Sequence, residues 1–167
     1  MRKSIFPTQY QYTWETNKME ILNASDSDIP ELCRLLDILF SQEEEFAPNA
    51  EAQRKGLLKI MENPEIGHIM IARMDNKIVG MVNVLFTVST ALGERVAILE
   101  DMVILPETRG NGIGSKLLES AIQVAHINGC RRITLLTDQT NTSAQRFYLK
   151  HGFKLSTMVP FRLMLKE

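Results

Sequence analysis

The chain has 167 residues, 19 of them basic and 20 acidic. That length is enough for one domain with a real hydrophobic core, and a near-zero charge without any Arg or Lys block excludes an electrostatic grip on nucleic acid. No apolar run approaches the ~20 residues of a membrane span, and Cys33 and Cys130 are too few and too far apart for a disulfide framework or a metal knuckle.

Residues 1–18 carry Tyr10, Tyr12 and Trp14 but no apolar signal-peptide core. They are expected to form an N-terminal arm ahead of a single domain over 19–167, in a cytoplasmic protein. Met19–Leu22 reads as a short first strand. Asp26 or Ser27 can cap a helix over 28–40, whose apolar stripe is Ile29, Leu32, Leu35, Leu36 and Leu39. Glu43, Glu44 and Glu45 make an acidic link to a second helix over 50–61, which Asn63-Pro64 ends. Strands over 68–73 and 77–88 are joined by Asp75-Asn76, a tight-turn pair, and another strand follows over 95–105. A helix over 112–128 presents Ile113, Leu117, Leu118, Ala121, Ile122 and Ala125 on one face until Gly129 stops it. The chain then reads as a strand over 133–137, a helix over 141–150 and, after Gly152, strands over 153–156 and 161–165. This order predicts an α/β fold with a mixed sheet and helices on both faces, the strand-helix-strand unit over 95–137 being parallel.

The stretch Arg109-Gly110-Asn111-Gly112-Ile113-Gly114 between the central strand and its helix is a candidate anion cradle. Glycines allow close backbone approach, the first turn of a helix leaves N–H groups unpaired, and Arg109 adds a cationic fork. The bland alternative is a Gly-rich turn with one solvated Arg. Two familiar phosphate loops do not fit. The order Gly114-Ser115-Lys116 departs from the Gly-Lys-Ser/Thr of a P-loop, and Ser115 stands where the dinucleotide fingerprint needs its third glycine.

Glu100 interrupts an apolar strand. With no bulge, Val96, Ile98, Glu100, Met102 and Ile104 share one face and Asp101 points the other way. An ionised carboxylate among such residues is costly unless paired, and a partly buried one is a candidate general base; an edge carboxylate or a structural ion pair is the alternative. Further on, Asn141 can cap a helix on which Ala144 and Tyr148 lie one above the other. Ala144 leaves room for a ligand chain to pass, and the Tyr148 hydroxyl can protonate a leaving thiolate, unless Tyr148 is only a core aromatic. His68, His126 and His151 are far apart, no residue set has metal-ligand spacing, and no nucleophile is paired with a base and an orienter.

Ile98 to Gly114, with Arg109, Gly112 and Gly114 at the Arg-x-x-Gly-x-Gly positions, resembles the core motif of the GNAT superfamily of acyl-CoA-dependent N-acetyltransferases. Asn141, Ala144 and Tyr148, followed by Gly152-Phe153, resemble that family's second motif. The sharp resemblance covers about residues 98–156. It implies a mostly antiparallel sheet with a splayed parallel pair of central strands, and acetyl-CoA as acyl donor. The pyrophosphate would lie on the backbone of Arg109, Gly110, Asn111, Gly112, Ile113 and Gly114, near Ser115. The pantetheine arm would pair with Met102, Val103 and Ile104 and touch Asn141, while Tyr148 would face the thioester sulfur. Leu99-Glu100-Asp101 is similar to the polyamine acetyltransferase branch, which makes Glu100 the implied base. The acceptor implied is a small-molecule amine, with a polyamine the first choice if the acidic Glu43–Glu45 run lines the acceptor side; the alternative for that run is a solvated acidic loop. A peptide α-amine or lysine, or an acyl-CoA-binding module without turnover, are the alternatives. A homodimer is expected, with no nucleic acid or membrane partner.

Overall fold

A computed structural model describes residues 19–42 and 45–165. The proposed N-terminal arm, together with Glu43 and Glu44 of the acidic link, lies outside the described residues. Among the described residues, five strands form one sheet in chain order: β1 (Met19–Asn23), β2 (Gly67–Met74), β3 (Lys77–Ser89), β4 (Glu94–Ile104) and β5 (Ile133–Leu135). The pairs from β1 to β4 are antiparallel and β4–β5 is parallel, so the sheet is mixed and mostly antiparallel, as the resemblance implied. Asp75 and Asn76 take φ of 49° and 63° in the β2–β3 turn, the mirror-image turn geometry that suits a two-residue hairpin.

Helices cover both faces. On one, α1 (Ile29–Phe40) and α2 (Ala50–Met61) bury Leu32, Leu35, Leu36 and Leu57 against Ile69, Ile71, Met81 and Val103. On the other, α3 (Ile113–Ile127) lays Leu117, Leu118, Ala121 and Ala125 on Val82, Val84, Ala97 and Leu99, with Phe147 and Tyr148 of α4 (Thr142–Lys150) packed at the margin. The 3.6-residue stripe of α3 is thus its core face.

Two expectations need correction. The start of α1 is organised by Ser25 and Asp28, not by Asp26 or Ser27. A short 3₁₀ turn over Asp26–Asp28 lets the Asp28 carboxylate accept from the Ser25 backbone N–H at 2.8 Å and from its hydroxyl at 2.9 Å. The other carboxylate oxygen of Asp28 takes Arg73 of β2 at 2.7 Å, tying the helix start to the sheet. Second, the strands expected over 153–156 and 161–165 are absent from the described residues: the chain beyond Gly152 pairs with no strand. Phe153 reaches the core and rests on Tyr148, but Leu155, Met158, Val159, Phe161, Leu163, Met164 and Leu165 are all exposed. Alternation supplied a strand-like pattern there without a ladder partner to satisfy it.

Asp28→Ala should lower the unfolding free energy by about 2–4 kcal/mol, since it strands a half-buried guanidinium and two Ser25 donors. Urea titration checks this; a loss no larger than that of an exposed Asp→Ala control would show the network to be idle.

Candidate active site

The centre of β4 is irregular. Met81 pairs with Val103, but Asn83 pairs with Glu100, so Val82 alone faces both Asp101 and Met102. This is a β-bulge, and Asp101 takes a φ of 53° within it. Such a left-handed conformation costs a non-glycine residue about 1–2 kcal/mol, less for Asp, whose short polar side chain can bond locally. The bulge reverses the alternation assumed from the sequence. Ala97 and Leu99 face α3 ahead of it; Met102 and Ile104 do so after it, while Val103 turns to α1. Glu100 and Asp101 therefore do not point to opposite faces: both line the same cleft on the α1–α2 side. Glu100 is exposed there and not embedded among apolar neighbours.

That cleft, of about 370 Å³, is walled by Leu36 and Phe40 of α1, Gln53, Gly56, Leu57 and Ile60 of α2, and Phe46 of the link, with Asn83, Glu100 and Asp101 from the sheet. Gln53 is buried with its amide fully used: it donates to Cys33 O at 3.1 Å and Asp37 Oδ1 at 3.0 Å, and accepts from the Asn49 N–H at 2.6 Å. Asn83 went unremarked in the sequence, though it is the single polar residue in the run Ile78 to Phe86. It is 2% exposed, and its Nδ2 donates to Asp101 Oδ2 at 2.6 Å. Glu45, from the acidic run, pairs with Arg162, whose guanidinium lies 5.4 Å from the centre of the Phe46 ring.

Parallel pairing between β4 and β5 is confined to Ala97–Leu99 against Ile133–Leu135. Beyond it, β4 continues through Met102, Val103 and Ile104 with no β5 partner, which leaves an open strand edge next to the bulge. The chain then turns through Pro106–Thr108, where Thr108 Oγ1 donates to Leu105 O at 3.0 Å, Arg109 Nε to Ile104 O at 3.0 Å and Asn111 Nδ2 to Thr108 O at 3.2 Å. These bonds brace the loop from within and hold Arg109 against the strand end by its Nε. Gly110 and Gly112 take φ of 83° and 76°, and Gly112 caps α3 without a side-chain bond. The first-turn N–H groups of Ile113, Gly114 and Ser115 are thus aimed out of the helix end, an arrangement suited to an anion. A Cβ on Gly114 would sit 3.6 Å from Phe147 and 3.7 Å from Ile104, so this glycine keeps α3 close to both.

Asn141 caps α4, its Oδ1 accepting the Ala144 N–H at 3.0 Å. Ala144 is half-buried one turn before Tyr148. The Tyr148 hydroxyl donates to Met102 Sδ at 3.6 Å, so it already addresses a sulfur beside the bulge. Burial pushes its phenol above the ordinary value, because desolvation penalises phenolate. Burial likewise raises the Cys130 thiol, which lowers its thiolate fraction and its reactivity.

Residues 29–153 match the model of the acetyltransferase (GNAT) family. The chain is 30% identical over 142 residues to the N-acetyltransferase YhfO of Bacillus subtilis, covering 83% of this chain and 92% of that protein. It is 28% identical to the aminoalkylphosphonate N-acetyltransferase of Salmonella typhimurium, over 82% and 86% of the two chains. An aminoglycoside N-acetyltransferase in complex with CoA shares the fold, with a TM-score of 0.77 and 19% identity over 90% of this chain and 97% of that one.

Two outcomes follow from this geometry. A Cβ on Gly112 would meet nothing within 4 Å, so Gly112→Ala should lower stability through backbone strain alone, by about 1–2 kcal/mol; an unchanged denaturation midpoint would contradict the left-handed cap. For Tyr148, the folded state holds the proton to higher pH than the unfolded chain does. Its stabilising contribution is full below pH ~10 and is lost as pH rises through the folded value. Tyr148→Phe should therefore soften the alkaline loss of stability, and identical alkaline slopes in the two proteins would contradict this.

Proposed function

The chain belongs to the acetyltransferase (GNAT) family and is an N-acetyltransferase that takes its acetyl group from acetyl-CoA; on that premise we propose that it acetylates a small-molecule primary amine, a polyamine in particular, by direct attack within a ternary complex. The observation that carries this reading is the convergence at the β4 bulge. The open edge of Met102–Ile104 and the Tyr148 hydroxyl approach the bulge from the α3 side, and the cleft holding Glu100 reaches it from the α1–α2 side.

In this reading the donor's pyrophosphate rests on the N–H groups of Gly110–Ser115, with Arg109 as an added cation, and its pantetheine arm extends the sheet along Met102, Val103 and Ile104 past Asn141 and Ala144. Asn141 has spent its carbonyl oxygen on the helix cap, so its Nδ2 is the atom left to meet the arm. Glu100 takes a proton from the acceptor ammonium. The freed lone pair forms the C–N bond, a backbone N–H of the Met102–Ile104 edge steadies the oxyanion, and the C–S bond breaks with its electron pair on sulfur. Tyr148 supplies the proton for that thiolate and is reprotonated by the proton the nitrogen sheds, through solvent, as it becomes a neutral amide, while Glu100 gives its own proton up to solvent. Prior placement of both reactants removes most of the entropic barrier to their encounter.

The acceptor class rests on the charge of the cleft. Glu100 and Asp101 line it from the sheet, which favours a cationic amine; Glu45, next in the chain to the lining Phe46, is paired with Arg162. The Salmonella typhimurium relative is named for aminoalkylphosphonates, which are also small amines. We extend the proposal to a homodimer whose second copy covers the C-terminal apolar run, where Leu155, Phe161, Leu163 and Leu165 are between 83% and 93% exposed, more than a solvated monomer ordinarily leaves bare. Sedimentation velocity should give a dimer at micromolar concentration; a monomer would contradict it.

Release of CoA from acetyl-CoA should be fastest with polyamines, slower with aminoalkylphosphonates and slowest with peptide amines; a peptide preference, or no release with any amine, would overturn the reading. Tyr148→Phe should lower turnover about tenfold to a hundredfold with donor affinity little changed. Glu100→Gln should lower turnover and flatten the acidic limb of the pH–rate profile; full rates in either variant would remove that residue from the chemistry.

A further inference from the structure

Asn83 is an anomaly in the core. Its side chain is 2% exposed, and its amide oxygen is, among the described residues, a buried side-chain atom with no hydrogen-bond partner. An unmet buried acceptor carries a real desolvation penalty, and the strand around it, Ile78 to Phe86, is otherwise apolar. An apolar residue of the same shape would avoid that penalty, so packing does not explain the amide.

The nitrogen end does. Asn83 Nδ2 donates to Asp101 Oδ2 at 2.6 Å, and Asp101 is the residue that takes a φ of 53° inside the bulge. Turning the amide over would set its carbonyl oxygen against the carboxylate, two acceptors facing each other, so Asp101 dictates the orientation that leaves Oδ1 unmet. Asn83 also stands directly across the ladder from Glu100. We propose that Asn83 is a positioning residue for acetyl transfer: by clamping the Asp101 carboxylate it holds the bulge in its left-handed form, and the bulge aims Glu100 into the cleft while turning the Met102 edge and side chain toward Tyr148. The unmet oxygen is then a stability cost retained for geometry, as strain at functional sites commonly is. This inference rests on the acetyl-transfer reading given above.

The test pairs stability with kinetics. Asn83→Leu keeps the size of the side chain and removes the unmet acceptor together with the clamp. The clamp predicts opposite responses: a melting temperature unchanged or raised, and a kcat lowered about tenfold or more, with acetyl-CoA affinity by calorimetry within about twofold. A core residue without a positioning role would either lose stability along with activity or lose neither, and each of these outcomes overturns the proposal. A double-mutant cycle supplies the second arm. Glycine adopts positive φ without a clamp, so in an Asp101→Gly background the same Asn83→Leu change should alter kcat by less than about twofold; an equal loss in both backgrounds would show that Asn83 does not act through Asp101. Turnover of the unmodified protein is measured first, and its absence with every amine would defeat the acetyl-transfer reading itself, an outcome distinct from normal turnover that ignores Asn83.

Discussion

Asp101, opposed to Val82 together with Met102, separates two alternations along β4 that would otherwise be one. On a regular strand, the residues facing α3 before the centre would share parity with those facing it afterwards, and Glu100 would lie on the same face as Met102. The extra residue breaks that tie. It sends Ala97, Leu99, Met102 and Ile104 to the α3 side while Glu100, Asp101 and Val103 turn to the α1–α2 side. A sheet normally insulates its two faces from each other. Here the bulge and the early end of the β5 pairing at Leu135 bring groups from both faces to one point.

That arrangement suits a reaction joining two molecules that enter from different sides. A long donor can lie along the open edge of β4, where the backbone offers a strand's worth of donors and acceptors, while an amine enters through the cleft between α1, α2 and the sheet. The apolar wall of that cleft, Leu36, Phe40, Leu57 and Ile60, would limit competing water, and the acidic residues lining it would select for positive charge. The Tyr148 hydroxyl, directed at the sulfur of Met102, would be the reactive end of the α3 side in the proposed reaction. Burial holds that phenol protonated, which is the form a departing thiolate needs.

Much of this was legible in the sequence because it is local. The stripe of α3, the glycines at its two ends, the Asp75-Asn76 turn and the Asn141 cap each depend on residues a few positions apart, and each was read from them. The bulge was not legible. It depends on the register between Asn83 and Glu100, set by a ladder closing across a long hairpin, and Asp101 gives no glycine to mark its unusual φ. The exposure of Glu100 was missed for the same reason, and Asn83 with it, since its role exists only across strands. The C-terminal strands failed differently: alternation over 153–165 is a pattern awaiting a partner, and the described chain offers it none. At the start of α1, several capping residues crowd into 25–28, and Arg73 of β2 helps fix the arrangement in which Asp28 serves.

The central claim, that donor and acceptor meet at the bulge from opposite faces of the sheet, is tested most directly by a crystal structure with a bisubstrate analogue in which the CoA sulfur is bridged through an acetyl linker to a polyamine nitrogen. The account predicts the pyrophosphate on the Gly110–Ser115 loop, the sulfur within hydrogen-bonding reach of Tyr148 and the polyamine leaving through the cleft lined by Glu100 and Asp101. An analogue bound with its polyamine arm outside that cleft, or with its sulfur remote from Tyr148, would contradict it.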